Sequence, residues 1–343
     1  MEPAVLQTVP LDFRWPTIDP FLFCVHHLDH YPAADGRLGP DASLAGRPIG
    51  NDFAPSEGWR MYHGSHVPGF PQHPHRGFET ITFVRRGLID HADSLGATAR
   101  YGRGDVQWMT AGAGIQHAEM FPLLDTDGPN TLELFQIWMN LPAADKMVDP
   151  HFTMLWDHDI PRHVVPTPGA GPDGPAVTVT VIAGALGDDT PPNPPPASYA
   201  SDPRADVALW HASFDAGSSW TMPSAAEGVA RVLYVFDGDG ITVDGEAVGS
   251  ATGAVVDATR AIEVASAGAA ELLVMQGRPI GEPVAQQGPF VMNTDDEIRQ
   301  AFADYRATQF GGWPWDRPDP THGTDGTRFA RHADGRVEEA VTA

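Results

Sequence analysis

From residue 80 to residue 140 the chain never runs far without a turn. Residues 80–84 (TITFV) are β-branched and aromatic and read as a central strand. Arg85-Arg86-Gly87 turns, residues 88–93 return, and Ser94-Leu95-Gly96 turns again. Residues 102–105 form a further turn before a strand at 106–109. Ala111-Gly112-Ala113-Gly114 feeds residues 115–120, and residues 132–140 (LELFQIWMN) form the next strand. Many short antiparallel strands joined by turns close into a sandwich or a small barrel. The pattern recurs at 177–184, 208–214, 230–238, 241–248, 253–258 and 270–277. The 36 Gly and 33 Pro agree, because both punctuate turns rather than long helices. At 343 residues there is room for two cores.

Two short motifs lie within the first set of strands, His73-Pro74-His75 and His117-Ala118-Glu119. Alternate residues of a strand point to one face, so each pair can aim both side chains at one point. Side by side, the two strands would offer three imidazoles and a carboxylate. That set suits a first-row transition metal and falls short of the all-oxygen cage of calcium or magnesium. Pro74 has no N–H for a sheet ladder, so its strand belongs at an edge or a strand start. Glu79 shares parity with His73 and His75 and is an alternative carboxylate. Four residues of strand place it about 13 Å from His75, so it reaches the same point only if the chain kinks, as Gly77 permits. His26, His27 and His30 lack strand periodicity and a carboxylate partner, and read as loop or packing histidines. Gln107, Gln116 and Gln136 are candidates for orienting a substrate or the ligands.

HPHRGFETITFV, DSLG, GRGDVQWMTAGAGIQHAEM and GPFVMNTDDEI closely resemble the pirin family of the cupin superfamily. The resemblance runs from about residue 12 to residue 309. It implies an all-β bicupin, with two jelly-roll (double-stranded β-helix) barrels in tandem and a C-terminal helix. It implies that His73, His75, His117 and Glu119 hold one divalent transition metal per chain, Fe(II) favoured and Mn, Ni, Co, Cu or Zn also suited. On this pattern Glu119 is the carboxylate ligand and Glu79 a structural neighbour. The implied activity is quercetin 2,3-dioxygenase-like. Both atoms of dioxygen enter a flavonol or related enol and carbon monoxide leaves, with Glu119 also the catalytic base and a small aromatic molecule as substrate. The alternative from the same family is a non-catalytic iron- and redox-sensing regulator acting through a protein partner.

The expected domains are residues 1–165 with the metal, and residues 176–312, a cupin-like domain without metal ligands that includes the closing helix. Twelve of the fifteen histidines precede residue 164, and only His211 falls in the second barrel. Residues 164–175 read as a linker, residues 189–204 as a proline-rich connector, and residues 313–343 as a mobile tail. Residues 31–57 read as a long covering loop. Thr294 with Glu297 makes a capping box, with Ile298, Phe302 and Tyr305 on one helical face. A formal charge of −24 argues against direct nucleic-acid binding. No apolar run is long enough to span a membrane. Cys24, the only cysteine, excludes an internal disulfide and fits a cytoplasmic protein.

Overall fold

The structure, a computed structural model, describes residues 3–169, 171 and 174–341. The excluded positions belong to the start of the expected first domain, the linker and the end of the tail. Along the chain the strands are β1 (Val5–Pro10), β2 (Phe21–Tyr31), β3 (Gly69–His75), β4 (Phe78–Arg86), β5 (Leu88–Asp93), β6 (Thr98–Gly102), β7 (Val106–Thr110), β8 (Ile115–Met120), β9 (Asn130–Asn140) and β10 (His151–Leu155). There follow β11 (Arg162–Pro166), β12 (Ala176–Ala183), β13 (Ala208–Phe214), β14 (Ser219–Met222), β15 (Ala230–Gly238), β16 (Ile241–Val243), β17 (Glu246–Val248), β18 (Thr252–Val256), β19 (Ile262–Ala265) and β20 (Ala270–Gly277). The hairpin β21 (Ala285–Gln287) and β22 (Phe290–Met292) leads into α1 (Asp295–Thr308), and β23 (Phe329–Arg331) and β24 (Val337–Glu339) end the chain.

Backbone proximity divides the chain into two compact units. One comprises Met1–Val25, Ile137–Pro142 and Asp159–Gly281; the other His26–Gln136, Ala143–His158 and Glu282–Ala343. These units interleave along the chain, unlike the sequential domains drawn from the sequence. The N-terminal strand goes with the later barrel, because β1 completes its sheet by pairing with β18. The helix and tail go with the earlier one.

Each unit is built from two antiparallel sheets. In the later barrel a seven-stranded sheet (β1-β18-β15-β20-β13-β12-β11) and a four-stranded sheet (β14-β19-β16-β17) enclose one core. The period-two pattern is plain there: Val177, Val179 and Val181, then Trp210, Ala212 and Phe214, turn inward from neighbouring strands. The earlier barrel sets a five-stranded sheet (β10-β7-β4-β9-β2) against a six-stranded one (β24-β23-β6-β5-β8-β3). Val84, Ile89, Tyr101, Met109, Ile115 and Leu134 are among the residues filling its core. Every residue of β5, β6, β7 and β8 is buried, so both faces of these strands are covered.

The tail is one of those covers. Asp90 grips the buried Arg100 guanidinium in two-point fashion at 2.6 and 2.7 Å. Arg100 also donates to the carbonyls of Gly323 and Asp325, and β23 pairs with β6. Residues 313–341 are therefore attached along the barrel rather than free, and the C-terminal segment ends in the strand β24. Two further expectations change. His26, His27 and His30 lie within β2, where His26 Nε2 meets Glu133 Oε1 at 3.1 Å and His27 Nδ1 meets the Tyr62 hydroxyl at 2.8 Å. The connector at 189–204 closes with two short 3-10 turns capped by Ser198 and Asp202. The capping box on α1 is present: Thr294 N donates to Glu297 Oε2 at 2.8 Å, and Glu297 N to Thr294 Oγ1 at 3.3 Å.

Gly77, between β3 and β4, has φ +84°, and a Cβ there would overlap the Val291 carbonyl oxygen. Lys146, the only lysine, is buried and donates to the carbonyls of both Gly77 (2.7 Å) and Val291 (3.3 Å). Gly96 has a similar φ of +85° with open space around it. Gly96→Ala is expected to lose about 1–2 kcal/mol from the left-handed backbone alone, and Gly77→Ala roughly 1–3 kcal/mol more from overlap. Urea denaturation of the two variants checks this; equal losses would show that Val291 moves aside freely.

Candidate metal centre

The site is made where β8 is flanked by β3 and β5. β3 is the edge strand of the six-stranded sheet, where Pro74 can sit without breaking a ladder on both sides. His73 pairs with His117 and His75 with Ile115, while Phe70 pairs with Glu119. The register shifts between Phe70 and His73. This bulge restores Phe70, His73 and His75 to one face, although simple alternation would separate Phe70 from the histidines. On the other side of β8, His91 pairs with Glu119 and Asp93 with His117. Directly opposed residues share a face, so three adjacent strands present their titratable side chains together.

One ligand atom from each of His73, His75 and His117 can be chosen so that all lie within 4.8 Å of one another. The ring centroids stand 4.4 Å apart for His73 and His117, 4.8 Å for His73 and His75, and 4.9 Å for His75 and His117. His73 Nδ1 lies 2.8 Å from the Pro71 carbonyl, which can only accept; that nitrogen carries the proton and leaves the Nε2 lone pair for a metal. Both ring nitrogens of His117 are buried without a hydrogen bond. A buried imidazole in that condition fits a metal ligand, since an unmet polar atom otherwise costs about 1–3 kcal/mol. Burial lowers the pKa of His73 to about 4, against the raising effect of its Pro71 bond. His75 and His117 fall well below the ordinary value through burial first and neighbouring histidines second. All three rings are therefore neutral at neutral pH, the form that binds metal. The cluster is compatible with one transition metal.

Glu119 is beside this cluster. Its Oε2 lies 3.9 Å from His117 Nε2. Its Oε1 accepts from the Thr82 hydroxyl at 3.1 Å and from the Tyr101 hydroxyl at 3.4 Å. Thr82 Oγ1 also lies 3.0 Å from Gln136 Oε1, so its one proton is shared between that oxygen and Glu119. Burial raises the Glu119 pKa, opposed by His91 and the two hydroxyls. Glu79, by contrast, lies on β4 in the other sheet. Its Oε1 accepts from Thr110 Oγ1 at 2.7 Å and Trp108 Nε1 at 3.2 Å, so its role there is to satisfy two buried donors.

Thr82, Tyr101, His91 and Asp93 were not singled out in the sequence. His91 Nε2 and Asp93 Oδ2 stand 3.2 Å apart, and the His91 ring is 5.6 Å from that of His117. A signal was present: His91-Ala92-Asp93 repeats the i, i+2 spacing of the other two pairs. Of the three glutamines, Gln136 touches Thr82, Gln107 touches Tyr101, and Gln116 lies on the opposite face of β8.

The family model described as Pirin matches residues 51–139, and that for the Pirin C-terminal cupin domain matches residues 209–311. A Pseudomonas aeruginosa protein provisionally named a quercetin 2,3-dioxygenase is 36% identical over 260 residues, covering 76% of this chain and 82% of the relative. Human pirin is 33% identical over 273 residues, covering 78% and 86%. The crystal structure of a quercetin 2,3-dioxygenase from Acinetobacter baumannii superposes with a TM-score of 0.69 at 24% identity, covering 90% of this chain and 98% of that one, a likeness of fold. The two barrels, the three-histidine cluster and these relatives together show that the chain is a bicupin and belongs to the pirin family.

Proposed function

We propose that this chain is a metal-dependent dioxygenase acting on a flavonol or a related aromatic enol, with His73, His75, His117 and Glu119 as the metal ligands. The observation that carries the reading is the convergence of three neutral imidazoles, His75 and His117 buried and His73 half-buried, with both nitrogens of His117 lacking a hydrogen bond. The names of relatives such as the Pseudomonas aeruginosa protein support the reaction class. A divalent transition ion held there, with Fe(II) favoured, would supply Lewis-acid polarisation and redox reach to dioxygen.

The residues themselves have two tasks. The histidines hold their lone pairs in one place, His73 through its bond to Pro71 and His75 through a hydrogen bond to the backbone at Pro289. Glu119 is held by its Oε1, which leaves Oε2 toward His117 as ligand atom and as acceptor for the substrate hydroxyl proton. A carboxylate whose pKa burial has raised is the better base near neutrality. We place the protein in the cytoplasm, where its buried lone cysteine stays reduced. No helix among the described residues is long and apolar enough to cross a membrane.

A second reading, a metal- and redox-sensing regulator with a protein partner, is favoured by one contact: Tyr305 on α1 bonds Gln116, the residue before His117.

His75→Ala and His117→Ala are each expected to abolish stoichiometric metal binding, read by elemental analysis after dialysis. Glu79→Gln, which keeps an acceptor for Trp108 and Thr110, should hold its metal. Loss of metal in Glu79→Gln would move the carboxylate assignment from Glu119 to Glu79.

Anaerobically purified protein reconstituted with Fe(II) should consume oxygen with a flavonol and release carbon monoxide in step, and His117→Ala should do neither. No turnover with Fe(II), Mn(II), Ni(II), Co(II) or Cu(II) at full occupancy would replace this reading with the regulatory one.

A further inference from the structure

Gln116 is fully buried and makes four hydrogen bonds, the most its amide can make. Nε2 donates to the carbonyls of Gln309 (2.6 Å) and Gly312 (3.0 Å). Oε1 accepts from Gln72 Nε2 (2.8 Å) and from the Tyr305 hydroxyl (3.1 Å). Because carbonyls only accept, the two on the Nε2 side fix the amide orientation. Gln116 lies between Ile115 and His117, and across the ladder it faces Pro74, which lies between His73 and His75. Pro74 offers no N–H here. Gln72 on the same strand supplies the missing link through its side chain, and its own backbone N–H donates to the Pro318 carbonyl at 2.7 Å.

The same C-terminal segment grips the residues flanking the ligands. Arg76 follows His75; its Nη1 donates to Asp304 Oδ2 at 2.7 Å, its Nε to the Ala113 carbonyl at 2.6 Å, and its guanidinium lies 4.5 Å from the Phe310 ring centre. A Cβ at Gly114 would meet that Phe310 ring at 2.6 Å.

We infer that Gln116 is a positioning residue for the metal ligands, and that through it the docking of residues 295–312 and occupancy of the metal site are coupled. The ligands are on the front of β3 and β8, and the amide fastens the same two strands to the helical segment from behind. Coupling is reciprocal: if the docked segment favours metal binding, bound metal tightens the segment by the same factor. A change at the centre then has a route to a surface helix.

The test uses the full chain and Co(II). Gln116→Leu removes all four bonds; Tyr305→Phe removes one and decides the matter if Gln116→Leu does not fold. Affinity is read by competition with a chromophoric chelator, ligand geometry by the visible Co(II) spectrum, and docking by amide hydrogen exchange across 295–312. Tyr305→Phe is expected to weaken Co(II) binding about tenfold and to shift the visible bands, with Gln116→Leu larger in both. Metal should slow exchange across 295–312 in the unaltered protein. Thr294→Ala, which removes the helix cap and none of these bonds, should lower thermal stability and leave the spectrum unchanged. Unaltered affinity and bands in both variants, or exchange indifferent to metal, overturns the inference. It rests on His73, His75 and His117 as the ligands: unaltered protein that fails to bind Co(II) removes that reading as well, whereas binding indifferent to Tyr305 and Gln116 removes the coupling alone.

Discussion

The pairing of β3 with β8 sets the geometry on which the site depends. Three facts about it are needed together: an edge position, which Pro74 demands; a bulge between Phe70 and His73, which restores a common face; and a register that puts His73 opposite His117. A slip by one residue would turn His117 and Glu119 to the back of the sheet and bring Gln116 forward. Edge strands are weakly held by their own ladder, and this one lacks a donor at its centre. That weakness explains why so many contacts converge behind it. The Gln116 amide, the Arg76 guanidinium and the Lys146 ammonium bond carbonyls or side chains close to the ligands.

Burying the ligands has an electrostatic cost of its own. Burial makes it unfavourable for the three imidazoles to carry protons, so the cluster remains neutral. Glu119 faces the opposite problem. Its charge is disfavoured by burial, yet Thr82 and Tyr101 donate to one oxygen and reduce that penalty. A neutral three-histidine set next to a carboxylate of raised basicity is compatible with one transition metal.

Much of this was legible in the sequence, and the reason lies in local rules. Strand alternation brought out the two histidine-bearing pairs and proline chemistry the edge; reach left Glu79 open to a kink at Gly77, and the resemblance to pirins favoured Glu119, whereas the structure sets Glu79 on β4 in the other sheet, bonded to Thr110 and Trp108. The capping box located the start of α1. What escaped depended on contacts between distant parts of the chain. The tail is Pro- and Gly-rich with little periodicity, so nothing within it announces that Arg100, more than two hundred residues earlier, donates to its carbonyls. β1 looks like an ordinary N-terminal strand, and its place beside β18 is set by an open sheet edge elsewhere. β2 hides its length because three of its eleven residues are histidines, two of which, His26 and His27, meet partners that the fold brings close.

The two barrels repeat one architecture with different uses of their inward faces. In the later barrel β12, β13, β15 and β20 turn Val, Trp, Leu and Phe inward and close over a wholly apolar cluster. In the earlier one the inward positions of β3, β5 and β8 are shared between the apolar Phe70, Ile89 and Ile115 and the polar His73, His75, His91, Asp93, His117 and Glu119. The C-terminal helix, its flanking hairpin and the tail all return to that barrel and cover the backs of the same strands. The covering segments are thus distributed asymmetrically: they add to the barrel that holds the polar cluster.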